Sequence, residues 1–214
     1  MSSQNVVIVL FVCTGNTCRS CMAENIFNRK TENRGLREKI KASSAGLFAL
    51  EGSEASKEAI QVVKSYGGDL SAHRSRQLDV DMIQNADYVL TMTMAHKKKT
   101  IQMQPEAYEK VHSLKEYVDG ELREESKKLS RLYREIALLN NKVYNNEGNG
   151  DESLDIETAK ERLHELESEI NQLESKFINH DIADPIGGSK EEYEETYQEI
   201  DSAIERILEL LKER

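Results

Sequence analysis

The hydrophobic positions near the start of the chain are consecutive rather than alternating. Residues 6–12 read VVIVLFV, a pattern typical of a strand that is buried on both faces in a parallel sheet. Met22, Ile26 and Phe27 then recur at helical spacing, so a helix is predicted after a short polar loop. Residues 39–42 predict a second, weaker strand, and the SSAG that follows predicts a turn. Together these segments predict a βαβ unit.

The alternation of strand and helix continues along the chain. Residues 55–66 predict a helix that ends at a glycine pair, residues 86–93 and 110–114 predict buried strands, and residues 191–211 predict a closing amphipathic helix. Strands that alternate with helices are typical of parallel sheets. We therefore predict an α/β fold with an open parallel sheet and helices on both of its faces.

Residues 120–179 differ in composition, with few aromatic or β-branched residues and many Glu, Lys, Arg and Leu. Their apolar residues repeat with heptad spacing in two arms. The positions of this seam are Leu122, Leu129, Leu132, Ile136, Leu139 and Val143 in the first arm, and Ile156, Ala159, Leu163, Leu166, Ile170, Leu173 and Phe177 in the second. Residues 144–153, YNNEGNGDES, are rich in turn formers and predict the connection between the arms.

We therefore predict that residues 120–179 form an inserted antiparallel coiled-coil hairpin, and that residues 1–119 and 180–214 form the parent domain. Each arm of about 22 residues would extend roughly 33 Å, enough to project well beyond that domain. Two interpretations of the hairpin remain open. It is either a solvated insertion without activity of its own, or an arm for a protein partner or for self-association.

The chain is acidic, with a formal net charge of −10. Such a charge repels nucleic acid and anionic membranes, and no apolar run approaches the roughly 20 residues of a membrane span. The residues before Val6 include no basic segment of a signal peptide. We therefore expect a cytoplasmic protein without nucleic-acid or membrane partners, in which any bound anion is held by a local site.

The three cysteines, Cys13, Cys18 and Cys21, lie close together. Their number and clustering do not suit the disulfide framework of a secreted protein. Cys-x4-Cys-x2-Cys without a nearby fourth ligand is also a poor cage for zinc or an iron–sulfur cluster. We expect no metal and no cofactor, and a chemical role for the cysteines.

The loop after the first strand reads CTGNTCRS, with five residues between Cys13 and Arg19. Backbone N–H groups of such a loop form a concave nest, and the next helix points its positive end into the same hollow. This cradle suits a phosphate dianion, with the Arg19 guanidinium forming a fork to two phosphoryl oxygens. The same field favours a thiolate at Cys13, which makes it a candidate nucleophile for phosphorus. The predicted phosphate-binding residues are Thr14, Gly15, Asn16, Thr17, Cys18, Arg19 and Ser20.

A cysteine nucleophile needs a proton donor for its leaving group. The best candidate is Asp184 in the segment HDIADPIGGS. Pro185 biases Asp184 toward an extended conformation, and the two glycines allow the loop to approach a ligand closely. Asp-Pro-x-Gly is also a common turn, so the catalytic interpretation depends on the other parts of the site.

These motifs, in this order, resemble the low-molecular-weight protein phosphatases. The resemblance covers residues 6–117 and 181–214, and it includes the stretches SAG, HRSRQL and ADYVLTMT. It implies a phosphotyrosine phosphatase I-like fold, with Cys13 as the nucleophile that forms a phosphocysteine, Arg19 as the phosphoryl ligand, and Asp184 as general acid and then base. It further implies a supporting hydrogen-bond network of Asn16, Ser20, Ser44 and His73.

Within that family the loop most resembles the bacterial protein-arginine phosphatases, which have threonine at the position of Thr17, where tyrosine-specific members usually have isoleucine. Threonine is shorter, and its hydroxyl suits a guanidinium and the attacking water. Tyrosine-specific members also tend to carry aromatic residues after Asp-Pro, where this chain has Ile186 and two glycines. We predict hydrolysis of phosphoarginine on phosphorylated proteins, with Thr17 and Ile186 as specificity residues. The alternatives are a protein-tyrosine phosphatase of the same family and an interaction module that works through the hairpin.

Two positions depart from the family pattern. Cys21 replaces a proline after Arg-Ser, and Ile186 replaces the phenylalanine usual in the arginine-specific subgroup. The first bears on loop rigidity or redox behaviour, and the second weakens one wall of the substrate cleft.

Cys18 lies on the same loop as Cys13, so peroxide is expected to join them in a protective disulfide. Cys21 is a competing partner, and the alternative is that Cys18 is a spectator thiol.

Overall fold

The computed structural model describes residues 6–149 and 156–212. Four parallel strands form a sheet in the order β2-β1-β3-β4. The strands are β1 (Val7–Cys13), β2 (Ile40–Gly46), β3 (Tyr88–Thr91) and β4 (Val111–Ser113). The helices are α1 (Arg19–Asn33), α2 (Lys57–Ser65), α3 (Val80–Asn85), α4 (Met94–Met103), α5 (Leu114–Val118), α6 (Arg123–Asn149), α7 (Ile156–Glu174) and α8 (Lys190–Lys212). Within these described segments, no helix has both the length and the apolar composition needed to cross a membrane.

The predicted α/β fold, with a parallel sheet and helices on both faces, is confirmed. Val9 and Phe11 of β1 pack into the core formed with α1, α2 and α8, whereas Leu10 and Val12 pack into the core on the opposite face. Successive side chains of a strand point to opposite faces. A central strand covered on both faces therefore has to be apolar at every position, which explains the unbroken run in β1.

The prediction that SSAG forms a turn is wrong. Residues 43–46 continue β2 and pair with residues 10–13 of β1. Parallel pairing with the central strand supplies backbone hydrogen bonds that outweigh the turn preference of serine and glycine. At the end of β2, a Cβ atom on Gly46 would lie 2.6 Å from the carbonyl oxygen of Thr14. Glycine is therefore required where β2 approaches the loop.

Helices α6 and α7 lie antiparallel to each other. Two ion pairs join them, Lys128 with Glu169 and Arg162 with Glu135, and a third joins Glu125 of α6 to Lys176 in the short turn that follows α7. The prediction that the connection begins at residue 144 is wrong, because α6 continues to Asn149. Each residue added to an existing helix gains a hydrogen bond, and no proline interrupts this segment. Residues 150–153 of the predicted connection lie outside the described residues.

The apolar seam of α6 and α7 also covers one face of the sheet. Tyr133, Leu166 and Phe177 are buried in the same core as Leu10 and Val12 of β1. The expectation of an arm that projects free of the domain is therefore wrong for this part of the hairpin. The sheet has two apolar faces, and α6 and α7, together with α3 and α4, cover the second one.

A buried ion pair ties α4 to α5 and α6. Lys97 Nζ lies 2.7 Å from Glu116 Oε1, and the two side chains are 0% and 2% exposed. Burial opposes ionisation of Glu116, but the Lys97 ammonium and hydrogen bonds from His112, Lys97 and Ser126 lower its pKa to about 2. The pair is therefore ionised at neutral pH, and it fixes the first turn of α4, where His96 lies.

We expect deletion of residues 121–178 to prevent folding, because the sheet would lose the buried side chains of Tyr133, Leu166 and Phe177. Removal of one large apolar side chain from a core costs about 2–5 kcal/mol, and a whole domain is stable by only about 5–15 kcal/mol. Deletion of residues 140–161 is the matched control, and should keep the fold because it spares those side chains. Urea denaturation followed by circular dichroism compares the two. A cooperative transition in the longer deletion would contradict this role of the hairpin.

Candidate active site

The loop predicted to bind an anion lies between β1 and α1, at the carboxyl end of the central strand. Cys13 is the last residue of β1, Cys18 is the N-cap residue of α1, and Arg19 begins the helix. The carbonyl oxygen of Cys13 accepts a hydrogen bond from Leu47 N at 2.9 Å. The loop is thereby fastened to the segment that follows β2.

The sulfur of Cys13 has polar neighbours on its own loop. Asn16 N donates to Cys13 Sγ at 3.2 Å, and Ser20 Oγ lies 2.9 Å from the same sulfur. The side chain is buried, with 3% of the residue exposed. A thiolate accepts hydrogen bonds, so these two groups suit a sulfur that reacts in its anionic form.

Asn16 holds the loop in an uncommon conformation. Its φ is 57°, in the left-handed region that asparagine tolerates better than most residues. Its Nδ2 donates to Ser20 Oγ at 2.9 Å and to Ser44 Oγ at 2.8 Å, and its Oδ1 accepts from Arg76 N at 2.9 Å. The carbonyl oxygen of Asn16 lies 2.7 Å from His73 Nε2. Four hydrogen bonds from three segments of the chain therefore fix this one residue.

The structure thus brings together the four residues expected in the supporting network, and it adds two that the sequence analysis missed. Ser44 Oγ donates to Glu24 Oε2 at 2.6 Å, and the carbonyl oxygen of Ser44 accepts from Arg76 Nη2 at 2.8 Å. Arg76 lies within the HRSRQL stretch, which pointed to this region. The local pattern around Glu24 gave no signal of its contact with Ser44.

Arg19 and Asp184 meet at the mouth of the loop, although they are far apart in the sequence. Arg19 Nη2 forms an ion pair with Asp184 Oδ2, and Arg19 Nη1 donates to the carbonyl oxygen of Ile182 at 3.0 Å. Arg19 Nε is buried and has no hydrogen-bond partner within the described residues. A buried donor of this kind is costly, and at the start of the helix that follows the Cys13 loop it suits an oxyanion. The Asp184 side chain is 41% exposed, so a ligand and water can reach it.

Two backbone contacts hold the Asp184 segment at the sheet. Ile182 N donates to the carbonyl oxygen of Met92 at 2.8 Å, just after β3. Met94 N, in the first turn of α4, donates to Asp181 Oδ1 at 2.7 Å. The segment that follows α7 is therefore fixed at the carboxyl ends of the strands, next to the Cys13 loop.

His96 on α4 is a site residue that the sequence analysis missed. Arg19 Nη2 donates to Thr14 Oγ1 at 3.5 Å, and Thr14 Oγ1 lies 2.9 Å from His96 Nε2. Burial, and then the nearby Arg19 guanidinium, lower the pKa of His96 to about 4. His96 is therefore neutral at pH 7, and its Nε2 can accept the Thr14 hydroxyl while Thr14 accepts from Arg19. The only local signal was the helix-capping pattern that starts at Thr93.

The two predicted specificity residues lie at different depths. Thr17 is half-buried, with its Oγ1 3.6 Å from Cys18 Sγ. Ile186 is 67% exposed on the Asp184 segment. Phe48, to which no motif pointed, is 70% exposed, and its N donates to the carbonyl oxygen of Thr14 at 2.9 Å. Two apolar side chains are thus exposed on segments that contact the loop.

The other two cysteines lie beneath the loop. Cys18 Sγ lies 3.4 Å from Ser56 Oγ and 3.3 Å from Tyr193 Oη. Cys21 is fully buried, and this burial, together with the neighbouring Cys13 and Cys18, raises the pKa of its thiol well above the usual value. Cys21 therefore remains a thiol and is a poor nucleophile. Within the part of the chain that the structure describes, no group of three or more His, Cys, Asp or Glu side chains is arranged to hold a metal ion.

Comparisons with known proteins agree with this arrangement. The family model described as low molecular weight phosphotyrosine protein phosphatase matches residues 8–135. A protein-arginine-phosphatase of Geobacillus stearothermophilus is 47% identical over 112 residues, which cover 52% of this chain and 72% of that protein. The protein-arginine-phosphatase of Bacillus subtilis (strain 168) is 39% identical over 112 residues, with 52% and 73% covered. The crystal structure of a low molecular weight protein tyrosine phosphatase from T. tengcongensis is similar, with a TM-score of 0.64, 32% identity, and 95% and 98% of the two chains covered.

We expect the free energy of unfolding to fall as the pH decreases from about 6.5 to about 4. In this range His96 binds a proton in the unfolded chain, whereas buried His96 in the folded protein stays neutral. His96→Gln removes this titration and keeps a polar group beside Thr14. Its loss of stability between about pH 7 and about pH 5, measured by urea denaturation, should be smaller than that of the wild type. His164→Gln, at an exposed position of α7, is the matched control. Equal pH dependence in all three proteins would show that His96 is not a buried neutral imidazole.

Proposed function

We infer that this chain, which belongs to the low molecular weight phosphotyrosine protein phosphatase family, is a cysteine-dependent protein phosphatase that hydrolyses phosphoarginine on proteins. The observation that carries the phosphatase function is the position of Arg19. Its buried Nε has no partner within the described residues, and it begins the helix directly beside the Cys13 loop. A phosphoryl group on the Cys13 sulfur would place an anionic oxygen where this donor is available.

In the first step that we propose, the Cys13 thiolate attacks phosphorus. The sulfur–phosphorus bond forms while the phosphorus–nitrogen bond to the substrate guanidino group breaks. The bound phosphoryl group replaces the Asp184 carboxylate as the partner of Arg19, and Asp184, protonated from solvent, gives its proton to the departing nitrogen. Arg19 and the loop amides stabilise the charge that spreads over the phosphoryl oxygens. The product of this step is a phosphocysteine and an unmodified arginine side chain.

In the second step, a water molecule attacks the phosphocysteine. Asp184 is now a carboxylate and takes a proton from this water, so that inorganic phosphate leaves and the Cys13 thiolate is restored. The partial exposure of Asp184 supports this role, because water reaches its carboxylate from the mouth of the site. The network around Asn16 keeps the loop in one conformation through both steps.

Phosphoarginine is the favoured substrate for three reasons. The two relatives described above are named protein-arginine phosphatases. Thr17 gives the loop a short side chain with a hydroxyl, which suits a guanidino group and a water molecule better than isoleucine does. Ile186 and two glycines follow Asp-Pro, where an aromatic side chain would stack on a phenol ring. Phosphotyrosine hydrolysis is the second candidate, since the similar structure from T. tengcongensis is described as a tyrosine phosphatase.

We also propose that residues 120–179 are an insertion in a phosphatase domain formed by residues 1–119 and 180–214. The antiparallel packing of α6 and α7 and their charged outer faces support an inserted unit. Burial of Tyr133 and Phe177 beneath it supports a structural role for its base. We place the protein in the cytoplasm, because a reducing compartment keeps three free thiols reduced. We expect no nucleic-acid or membrane partners, because a net charge of −10 repels both.

We further propose that peroxide oxidises Cys13 to a sulfenic acid, which condenses with the Cys18 thiol to a disulfide and releases water. We expect dithiothreitol to restore activity in the wild type and in Cys21→Ser, but not in Cys18→Ser, where Cys13 would be oxidised further. The activity assay is combined with mass spectrometry of the cross-linked peptide. Full recovery in Cys18→Ser, or a cross-link that contains Cys21, would refute the Cys13–Cys18 pair.

We expect Thr17→Ile to lower kcat/KM for a phosphoarginine peptide and to raise it for a matched phosphotyrosine peptide, each by about tenfold, because one side-chain group in a pocket is worth about this much. Thr17→Val keeps the size of threonine without its hydroxyl, and Thr17→Ser keeps the hydroxyl, so the pair separates polarity from volume. Cys13→Ser should abolish both activities. An unchanged ratio of the two activities in Thr17→Ile would remove Thr17 as a specificity residue.

A further inference from the structure

The function proposed above gives no role to the contact between the Cys13 loop and α4. His96 Nε2 lies 2.9 Å from Thr14 Oγ1. Thr14 is exposed at the mouth of the loop, whereas only 9% of His96 is exposed. The other ring nitrogen, His96 Nδ1, is buried and has no hydrogen-bond partner within the described residues. A buried polar atom without a partner costs free energy, and a leucine would fill a similar volume without that cost. Packing alone therefore does not explain an imidazole at this position.

The first turn of α4 holds the imidazole in place. His96 N donates to Thr93 Oγ1 at 3.1 Å, and the carbonyl oxygen of His96 accepts from Thr100 Oγ1 at 2.8 Å. The next residue, Lys97, forms the buried ion pair with Glu116. The Nε2 atom of His96 therefore has a fixed position beside Thr14.

Thr14 in turn contacts Arg19. Arg19 Nη1 donates to the carbonyl oxygen of Ile182 at 3.0 Å, whereas Nη2 faces two acceptors, the Asp184 carboxylate and Thr14 Oγ1 at 3.5 Å. The carboxylate is the stronger acceptor, which accounts for the longer distance to Thr14. In the proposed reaction a phosphoryl group replaces the Asp184 carboxylate, so that one of these partners changes. The Ile182 carbonyl and the Thr14 hydroxyl are the neutral acceptors that remain to hold the plane of the guanidinium.

Thr14 can hold Arg19 only while a lone pair of its hydroxyl oxygen faces the guanidinium. A hydroxyl group has one hydrogen and two lone pairs, and it rotates to suit its neighbours. Because arginine offers only donors, the Thr14 hydrogen has to point away from Arg19. Burial, and then the Arg19 guanidinium, keep the His96 ring neutral at pH 7, so Nε2 can accept that hydrogen while the ring hydrogen lies on Nδ1. The direction of the hydrogen bonds is then set from Arg19 to Thr14 to His96.

We propose that His96 is a positioning residue, which acts through the Thr14 hydroxyl to hold the Arg19 guanidinium in the orientation that binds a phosphoryl group. This inference rests on the function proposed above, in which Arg19 is the phosphoryl ligand. His96 does not touch the reacting atoms in that mechanism. Its loss should therefore weaken the binding of a phosphoryl anion, and lower kcat/KM with it, without removing a group that takes part in the chemistry.

Binding of inorganic phosphate, measured by isothermal titration calorimetry, tests the proposal without turnover. His96→Leu removes both nitrogens, His96→Asn brings its amide only as far as the position of Nδ1, and His96→Gln can bring its amide to the position of Nε2. We expect His96→Leu and His96→Asn to weaken phosphate binding by about tenfold, the effect of one hydrogen bond to a charged group, and His96→Gln by less than about threefold. The values of kcat/KM for p-nitrophenyl phosphate should fall in the same order. His164→Leu, at an exposed position of α7, is the matched control and should behave as the wild type.

A double-mutant cycle with Thr14→Val separates positioning from packing. Because His96 acts through the Thr14 hydroxyl, His96→Leu should weaken phosphate binding by less than about twofold in the Thr14→Val background. An equal loss in both backgrounds, or an equal loss in His96→Gln and His96→Leu, would show that the ring only packs against the loop. Phosphate binding of wild-type strength in His96→Leu would overturn the positioning role and leave the proposed function intact. A wild-type protein that neither binds phosphate nor hydrolyses p-nitrophenyl phosphate would overturn both. Circular dichroism checks that each variant is folded at the temperature of the assay.

Discussion

The conformation of Asn16 is the constraint on which the site depends. A left-handed residue in the middle of the loop turns the backbone so that Asn16 N donates to the Cys13 sulfur. This conformation is uncommon for a residue with a side chain, and it persists because Ser44, His73 and Arg76 bind Asn16 from outside the loop. In the mechanism that we propose, those hydrogen bonds pre-form the anion cradle, so that little reorganisation is needed when a phosphoryl group arrives.

The helical hairpin contributes to this site indirectly, through the core. Its base covers one face of the sheet, and its first helix supplies Ser126, which bonds to Glu116 in the buried pair with Lys97. Lys97 follows His96, which contacts Thr14 in the loop. A chain of packed and hydrogen-bonded groups therefore connects α6 to the Cys13 loop. Replacement of one member of a buried ion pair leaves the other charge uncompensated, so substitutions at Lys97 or Glu116 are expected to be costly.

Charge is organised locally in this molecule. The chain carries an excess of ten negative charges, yet the loop between β1 and α1 places a guanidinium and backbone N–H groups around the Cys13 sulfur. In the loop, a buried guanidinium and backbone amides act over short distances, where screening by salt is weak. This arrangement suits chemistry on one phosphoryl group.

The sequence by itself determined the four strands, the helices α1, α2, α6, α7 and α8, the loop, and the candidate residues of its chemistry, because Cys13 and Arg19 are neighbours in one local motif and the buried strand β1 is a continuous apolar run. The short helices α3, α4 and α5 were not predicted. It also brought Asp184 into the site through the resemblance to a known family. Only the tertiary structure decided that SSAG extends β2, that the base of the hairpin belongs to the core, and that His96 and Glu24 support the site. Those features depend on contacts between residues that are distant in the chain. Local spacing specifies which face of an element is apolar, but not which element will cover it.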